Sequence, residues 1–283
     1  MIRLFRPLLS PRVLVAVAAC ALAVACGTKR TTVPQGTLDP DKLLYERGTA
    51  ALNDRKWFTA REYFRQIVDG YPQSTFRADS KLGLADSYLG EKSSESYVLA
   101  VNEYREFLTF FPTHERADYA QYKLAMCYHG QMAKAERDQT NTKEAVKEFD
   151  AFFERFPNSS LAAEARAKQR EAKDRLSESS YRVGLFYFRS RWYPGAVDRF
   201  KQVLKDDPGF TGRDAVYYYL AEALAKAQAN AEALPYFERL VAEFEKSEYL
   251  AQAQTRITEL RALVAAAPPP PPKVDPPKVD PPK

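Results

Sequence analysis

The sequence has little of what catalysis and covalent cross-linking draw on. Its 283 residues include three Cys, two His, two Trp, three Ile and 11 Gly. With Cys20 in a cleaved signal and Cys26 acylated, as argued below, Cys127 is the single thiol left and no intramolecular disulfide is expected. His114 and His129 are the only imidazoles and neither has a second ligand at helical spacing; Cys127 and His129, two apart, fall on different helix faces. There is no Gly-rich phosphate loop, zinc-binding Cys pair or nucleophile-elbow Ser, and the carboxylates are dispersed among Lys and Arg with no pair standing out. The sequence therefore predicts no metal, no cofactor and no enzyme, with an envelope enzyme of unrecognised site as the rival from another class. His114 reads as a helix starter and Cys127 as a small buried group.

Scarce Ile and Gly beside forty Ala disfavour sheet. Nine of the 19 Pro lie in the last sixteen residues, so the body can carry long helices. The net charge of +5 includes Arg3, Arg6 and Arg12. Without them 39 basic residues face 37 acidic ones, and nucleic acid is not an expected partner.

Those three Arg precede an apolar run from Val13 to Ala25, the shape of a secretory signal over residues 1–25 rather than of a membrane span. The run ends in Leu22-Ala23-Val24-Ala25-Cys26-Gly27, which resembles a lipobox with Cys26 as the acylated residue. Cys20, after Val17-Ala18-Ala19, is the alternative site, and an ordinary cleaved signal a third reading. By the sorting rule of Gram-negative lipoproteins, the lack of Asp after Cys26 implies the outer membrane, with the body on its periplasmic face and the membrane reached through the lipid. Residues 26–38 read as the lipidated tether.

A repeat organises the rest. An Ala, an aromatic four residues on and an apolar residue three further recur as Ala60-Phe64-Ile67, Ala100-Tyr104-Phe107, Ala145-Phe149-Phe152, Ala196-Phe200-Val203 and Ala233-Phe237-Leu240. Four of these are followed five residues later by Pro72, Pro112, Pro157 and Pro208, and the fifth has Glu245 in that place. Spacing of i, i+4, i+7 is one helical stripe that a Pro can end. Twelve residues before the Ala stand Gly48, Gly184 and Ala221, with Ala85 and Ala125 in the same role in repeats two and three, where two helices would cross closely. This is similar to the tetratricopeptide repeat. The prediction is an all-α solenoid of about five repeats: repeats 1–3 over 39–158, then a long connecting helix, repeats 4–5 and a capping helix over 159–264. Insertions fall near 90–96 and 131–141, and a disordered Pro-rich tail occupies 265–283.

Among first-helix residues of the early repeats, Tyr45, Tyr88, Tyr119 and Tyr122 are candidates to line a peptide groove, each offering an apolar ring with a polar tip; packing between repeats is the competing role. Phe186-Tyr187-Phe188 and Tyr217-Tyr218-Tyr219 read mostly as core. Arg199 has Gly195, Ala196, Gln202 and Val203 three and four residues away, so no intrahelical acid neutralises it. It is either a solvated surface Arg or a contact for a partner's carboxylate.

The strings Tyr71-Pro72-x-Ser74, Phe111-Pro112-Thr113-His114 with Asp118-Tyr119 and Tyr122, Phe156-Pro157-Asn158-Ser159 and Lys173-Asp174-Arg175-Leu176 resemble the BamD family of β-barrel assembly lipoproteins over about residues 39–262. Arg137-Asp138-Gln139-Thr140 resembles that family's inter-helix loop. The resemblance implies a scaffold without turnover. Its amino-terminal repeats would receive unfolded outer-membrane β-barrel clients; its carboxy-terminal repeats would dock on the periplasmic domains of BamA, with Arg199 at the contact and other Bam lipoproteins as further partners. The rival within the same architecture is a secretin or pilus pilotin, or an envelope division coordinator.

Overall fold

The computed structural model describes Gly36 and residues 38–266. The signal segment, Cys26, most of the tether and the tail beyond Ala266 lie outside the described residues. Eleven helices and no strand occur among those described: α1 Pro40–Asn53, α2 Trp57–Gly70, α3 Arg77–Glu91, α4 Ser94–Phe110, α5 Ala117–His129, α6 Thr140–Arg155, α7 Ala162–Arg189, α8 Tyr193–Asp206, α9 Arg213–Lys226, α10 Asn230–Glu243 and α11 Leu250–Ala266. Two compact units divide at Phe111 and Pro112, with α1–α4 in the first and α5–α11 in the second.

The recurring stripe is the core of each hairpin. All fifteen of its residues, from Ala60-Phe64-Ile67 to Ala233-Phe237-Leu240, are at most 2% exposed. The small residue opposite lets the helices close. A methyl group built on Gly48 would lie 2.8 Å from the Phe64 ring, and one on Gly184 2.5 Å from that of Phe200. Burying a ring of this size contributes about 1.5–3 kcal/mol, so the stripe carries much of each hairpin's stability.

The second helices end alike. Tyr71, Phe111, Phe156, Asp207 and Phe244 leave the helix at φ between −128° and −139° with ψ of 53° to 82°. Four precede a proline, which disfavours helical geometry at the residue before it. Phe244 does the same before Glu245, so the exit does not depend on the imide. Just beyond, Ser74, Ser159 and Ser247 accept a backbone N–H from the residue two further on, and His114 Nδ1 does so from Arg116 at 3.1 Å. The imidazole thus takes the serine's place at the start of a first helix.

The expected insertion near 90–96 is absorbed as helix rather than loop. Only Lys92 and Ser93 separate α3 from α4, and the Ser93 and Ser96 side chains form a reciprocal capping box that starts α4. The second insertion is a true loop over 130–139. The long connecting helix is α7, with 28 residues, whose last turns also serve as first helix of the fourth hairpin. The capping helix α11 runs to Ala266, two residues into the expected tail.

Candidate functional site

Within the first unit, Tyr45 is half-buried and stacks on Phe76 with ring centroids 4.9 Å apart. Tyr88 is buried; its hydroxyl accepts from Arg65 at 2.8 Å and the Arg61 guanidinium covers its ring at 4.7 Å. Within the second unit, Tyr119 is half-buried, flanked by Arg116 at 4.8 Å and Lys123 at 5.3 Å from its centroid. Tyr122 is 4% exposed, packs against Phe149 and Phe152, and donates to Glu164 at 2.7 Å. Burial and that carboxylate push the phenol of Tyr122 well above its ordinary pKa. Tyr45 and Tyr119 are thus half-buried rings in contact with neighbours, whereas Tyr88 and Tyr122 are buried in packing and internal bonds.

Arg199 projects from α8 into solvent and has no hydrogen bond or ion pair among the described residues. Its neighbours Ala196, Phe200 and Val203 are in the core, which puts the guanidinium at the flank expected from the stripe.

The string Lys173-Asp174-Arg175-Leu176 acts as a row of ties from α7. Lys173 lies 3.7 Å from Asp150 of α6, Asp174 accepts from the Thr211 amide at 3.0 Å, and Arg175 donates to the Ala133 carbonyl at 3.2 Å. Arg182 adds an ion pair with Glu136 at 2.7 Å. The ties of Asp174, Arg175 and Arg182 frame a cavity of about 650 Å³ lined by Met132, Glu136, Glu171, Asp174, Arg175 and Phe210, among others. The loop carrying Arg137-Asp138-Gln139-Thr140 is held internally: Gln139 donates to the carbonyls of Lys134 and Arg137, and Asp138 accepts from the Thr140 amide. The aspartates at the start of α1, α5 and α9 are clasps. Asp118 accepts from Ser159 at 2.6 Å and Asp214 from Ser247 at 2.7 Å, and a hydrogen bond from Ser74 holds the Asp41 carboxyl below its ordinary pKa.

No group of three metal-ligating side chains occurs among the described residues. Cys127 is fully buried, and His129 pairs with Glu171 at 3.0 Å while burial keeps its pKa below the usual value. Phe186, of the Phe186-Tyr187-Phe188 run expected mostly in the core, is 65% exposed, and nearby Trp192 is 56% exposed. Helical periodicity locates the Ala196 stripe but cannot reveal that Phe186 and Trp192 on the same hairpin stay exposed among the described residues.

Residues 38–232 match the YfiO family, described as an outer membrane lipoprotein. The chain belongs to that family. Among curated YfiO relatives, outer membrane protein assembly factor BamD of Caulobacter vibrioides is 29% identical over 237 residues, covering 82% of this chain and 75% of the relative. Its namesake from Vibrio cholerae is 25% identical over 200 residues, covering 67% and 80%. That of Rickettsia prowazekii is 24% identical over 214, covering 76% and 84%. Among solved structures, the TPR2AB domain of yeast Sti1 in its pHSP90 complex aligns with a TM-score of 0.44 at 16% identity, over 79% of this chain and 84% of that one. The YfiO match encloses all four candidate tyrosines and Arg199. The relatives are named as assembly factors, a non-catalytic kind of protein. No helix among the described residues is long and apolar enough to cross a membrane.

Proposed function

We propose that this chain is an outer membrane protein assembly factor, a lipid-anchored scaffold that brings unfolded β-barrel clients to BamA. Membership of the YfiO family carries the reading, supported by relatives named for that role. Cys26 is the acylation site in this proposal, and the body stands on the periplasmic face of the outer membrane. Clients in extended form bind the amino-terminal hairpins, where Tyr45 and Tyr119 are half-buried and Tyr88 and Tyr122 are buried as packing. Modest affinity follows, because a disordered client is ordered as it binds.

The periplasmic domains of BamA meet α8, with Arg199 placed against a carboxylate. The support is a guanidinium that is solvent-facing and unpaired among the described residues, on the second helix of the fourth hairpin. Such a group can form a bidentate, charge-assisted pair that Lys only partly reproduces. Arg199→Glu is expected to weaken affinity for the BamA periplasmic domains at least tenfold, since attraction becomes repulsion. Circular dichroism checks the fold in parallel. Unchanged affinity in a folded variant removes Arg199 from the interface, and co-purification of a secretin ring in place of BamA would transfer the scaffold to a different machine.

A further inference from the structure

The hairpin of α7 and α8 carries a surface that packing within its unit leaves unused. Val183 and Phe186, one turn apart on α7, are 40% and 65% exposed, and Trp192 in the turn is 56% exposed. The rings are contiguous: Phe186 lies 5.8 Å from Tyr187, and Tyr187 meets Trp192 edge-on at 4.7 Å. Arg189 and Arg191 flank them, both exposed and without a side-chain partner among the described residues. No Asp or Glu occurs from Ser179 to Val197, and no longer acid-free stretch lies among the described residues. Here only cations accompany six aromatic residues, Tyr181, Phe186, Tyr187, Phe188, Trp192 and Tyr193.

We infer that this turn is a membrane-contact surface that rests on an anionic phospholipid interface, with Trp192, Phe186 and Val183 among the headgroups and acyl boundary and Arg189 and Arg191 on the phosphates. Three observations favour lipid over a protein partner. The unpaired charge is of one sign and complements an anionic leaflet. The apolar side chains stand at a hairpin corner, while cavities of about 650, 500 and 490 Å³ among the described residues are lined by other residues, so the surface suits insertion into a soft phase rather than capture of a ligand in a pocket. Trp with neighbouring Arg is the combination that membrane interfaces select, since each has an apolar body and a polar or charged tip. The family match places the chain among outer membrane lipoproteins, which work beside such a surface. The inference does not use Arg199 and does not depend on its proposed partner.

The test uses the whole chain from residue 26 with Cys26→Ser, so that no acyl group anchors it. Trp57→Phe leaves Trp192 as the sole indole. Co-sedimentation is expected with vesicles of phosphatidylcholine containing phosphatidylglycerol and not with phosphatidylcholine alone, weakening as salt rises. On binding, Trp192 emission should move to the blue and be quenched by brominated acyl chains. Removing both cations in Arg189→Ser/Arg191→Ser should lower partitioning roughly thirty-fold. Because the Trp192 ring also covers Gly195, Phe186→Ser serves as a second variant and should likewise weaken binding with helicity intact. Absence of binding by the folded parent, or binding that leaves Trp192 unshifted and unquenched, overturns the inference. If the patch variants lose affinity for BamA domains while vesicle binding persists, the surface is a protein interface instead.

Discussion

Phe64 lies between two glycines, Gly48 of α1 and Gly83 of α3, and a methyl group built on Gly83 would sit 2.5 Å from its ring. Alanine normally gains about 1 kcal/mol over glycine inside a helix. Overpacking against a fully enclosed ring costs about 1–3 kcal/mol, and at that separation it prevails. Gly83→Ala is therefore expected to lower the denaturant midpoint of unfolding, whereas Gly70→Ala, at a site with nothing within 4 Å, should leave it unchanged or raise it. An unchanged or raised midpoint for Gly83→Ala would show that the Phe64 ring yields to the added methyl group. Gly48 was legible in the sequence because it shares a hairpin with Phe64 at a spacing that recurs. Gly83 was not, since it meets Phe64 from the next hairpin and no in-repeat spacing encodes that contact. The candidate site divides in the same way. Periodicity placed Arg199 at an exposed flank, but it could not show that Tyr88 and Tyr122 are committed to Arg65 and Glu164.

The long helix α7 bears several side-chain ties to its neighbours. Its Arg170 makes a two-pronged contact with Asp207, at 3.0 Å through one prong, and Ser177 donates to the same carboxylate at 2.6 Å. Burial works against the charged form of Asp207, but those donors outweigh it and hold its pKa below the ordinary value. A carboxyl lowered on folding stabilises the fold above its unfolded pKa and loses that contribution as pH falls through its folded pKa. Asp207→Asn is expected to cost about 2 kcal/mol at neutral pH, less than a fully buried pair because Arg170 keeps part of its surface in water. Its deficit against the parent should shrink as acid titrates Asp207, which urea unfolding at a series of pH values would measure. A deficit independent of pH would show the charge to be irrelevant. None of this could be read from Arg170 and Asp207 in the sequence, 37 residues apart. Helix lengths and exits were legible because the stripe and its proline recur, yet the insertion near 90–96 vanished into helix because Ser93 can cap α4 directly.

For the whole chain, buried side chains run from Leu44 in α1 to Leu260 in α11 among the described residues. The Pro-rich segment after them has almost no apolar side chains to bury. Deleting residues 268–283 is expected to leave the melting temperature unchanged, and a fall of several degrees would show that this segment contributes to the fold.

The serine that follows a second helix does two jobs. It closes its own hairpin by donating to the aspartate at the start of the first helix, and it accepts the N–H that launches the next turn. Both halves of the clasp therefore lie within one stretch of sequence, from Asp118 to Ser159 or from Asp214 to Ser247. A gene duplication copying one such stretch would deliver a hairpin that already carries its own fastening and its own outgoing joint, so the family's ancestors could lengthen without inventing a new seam each time.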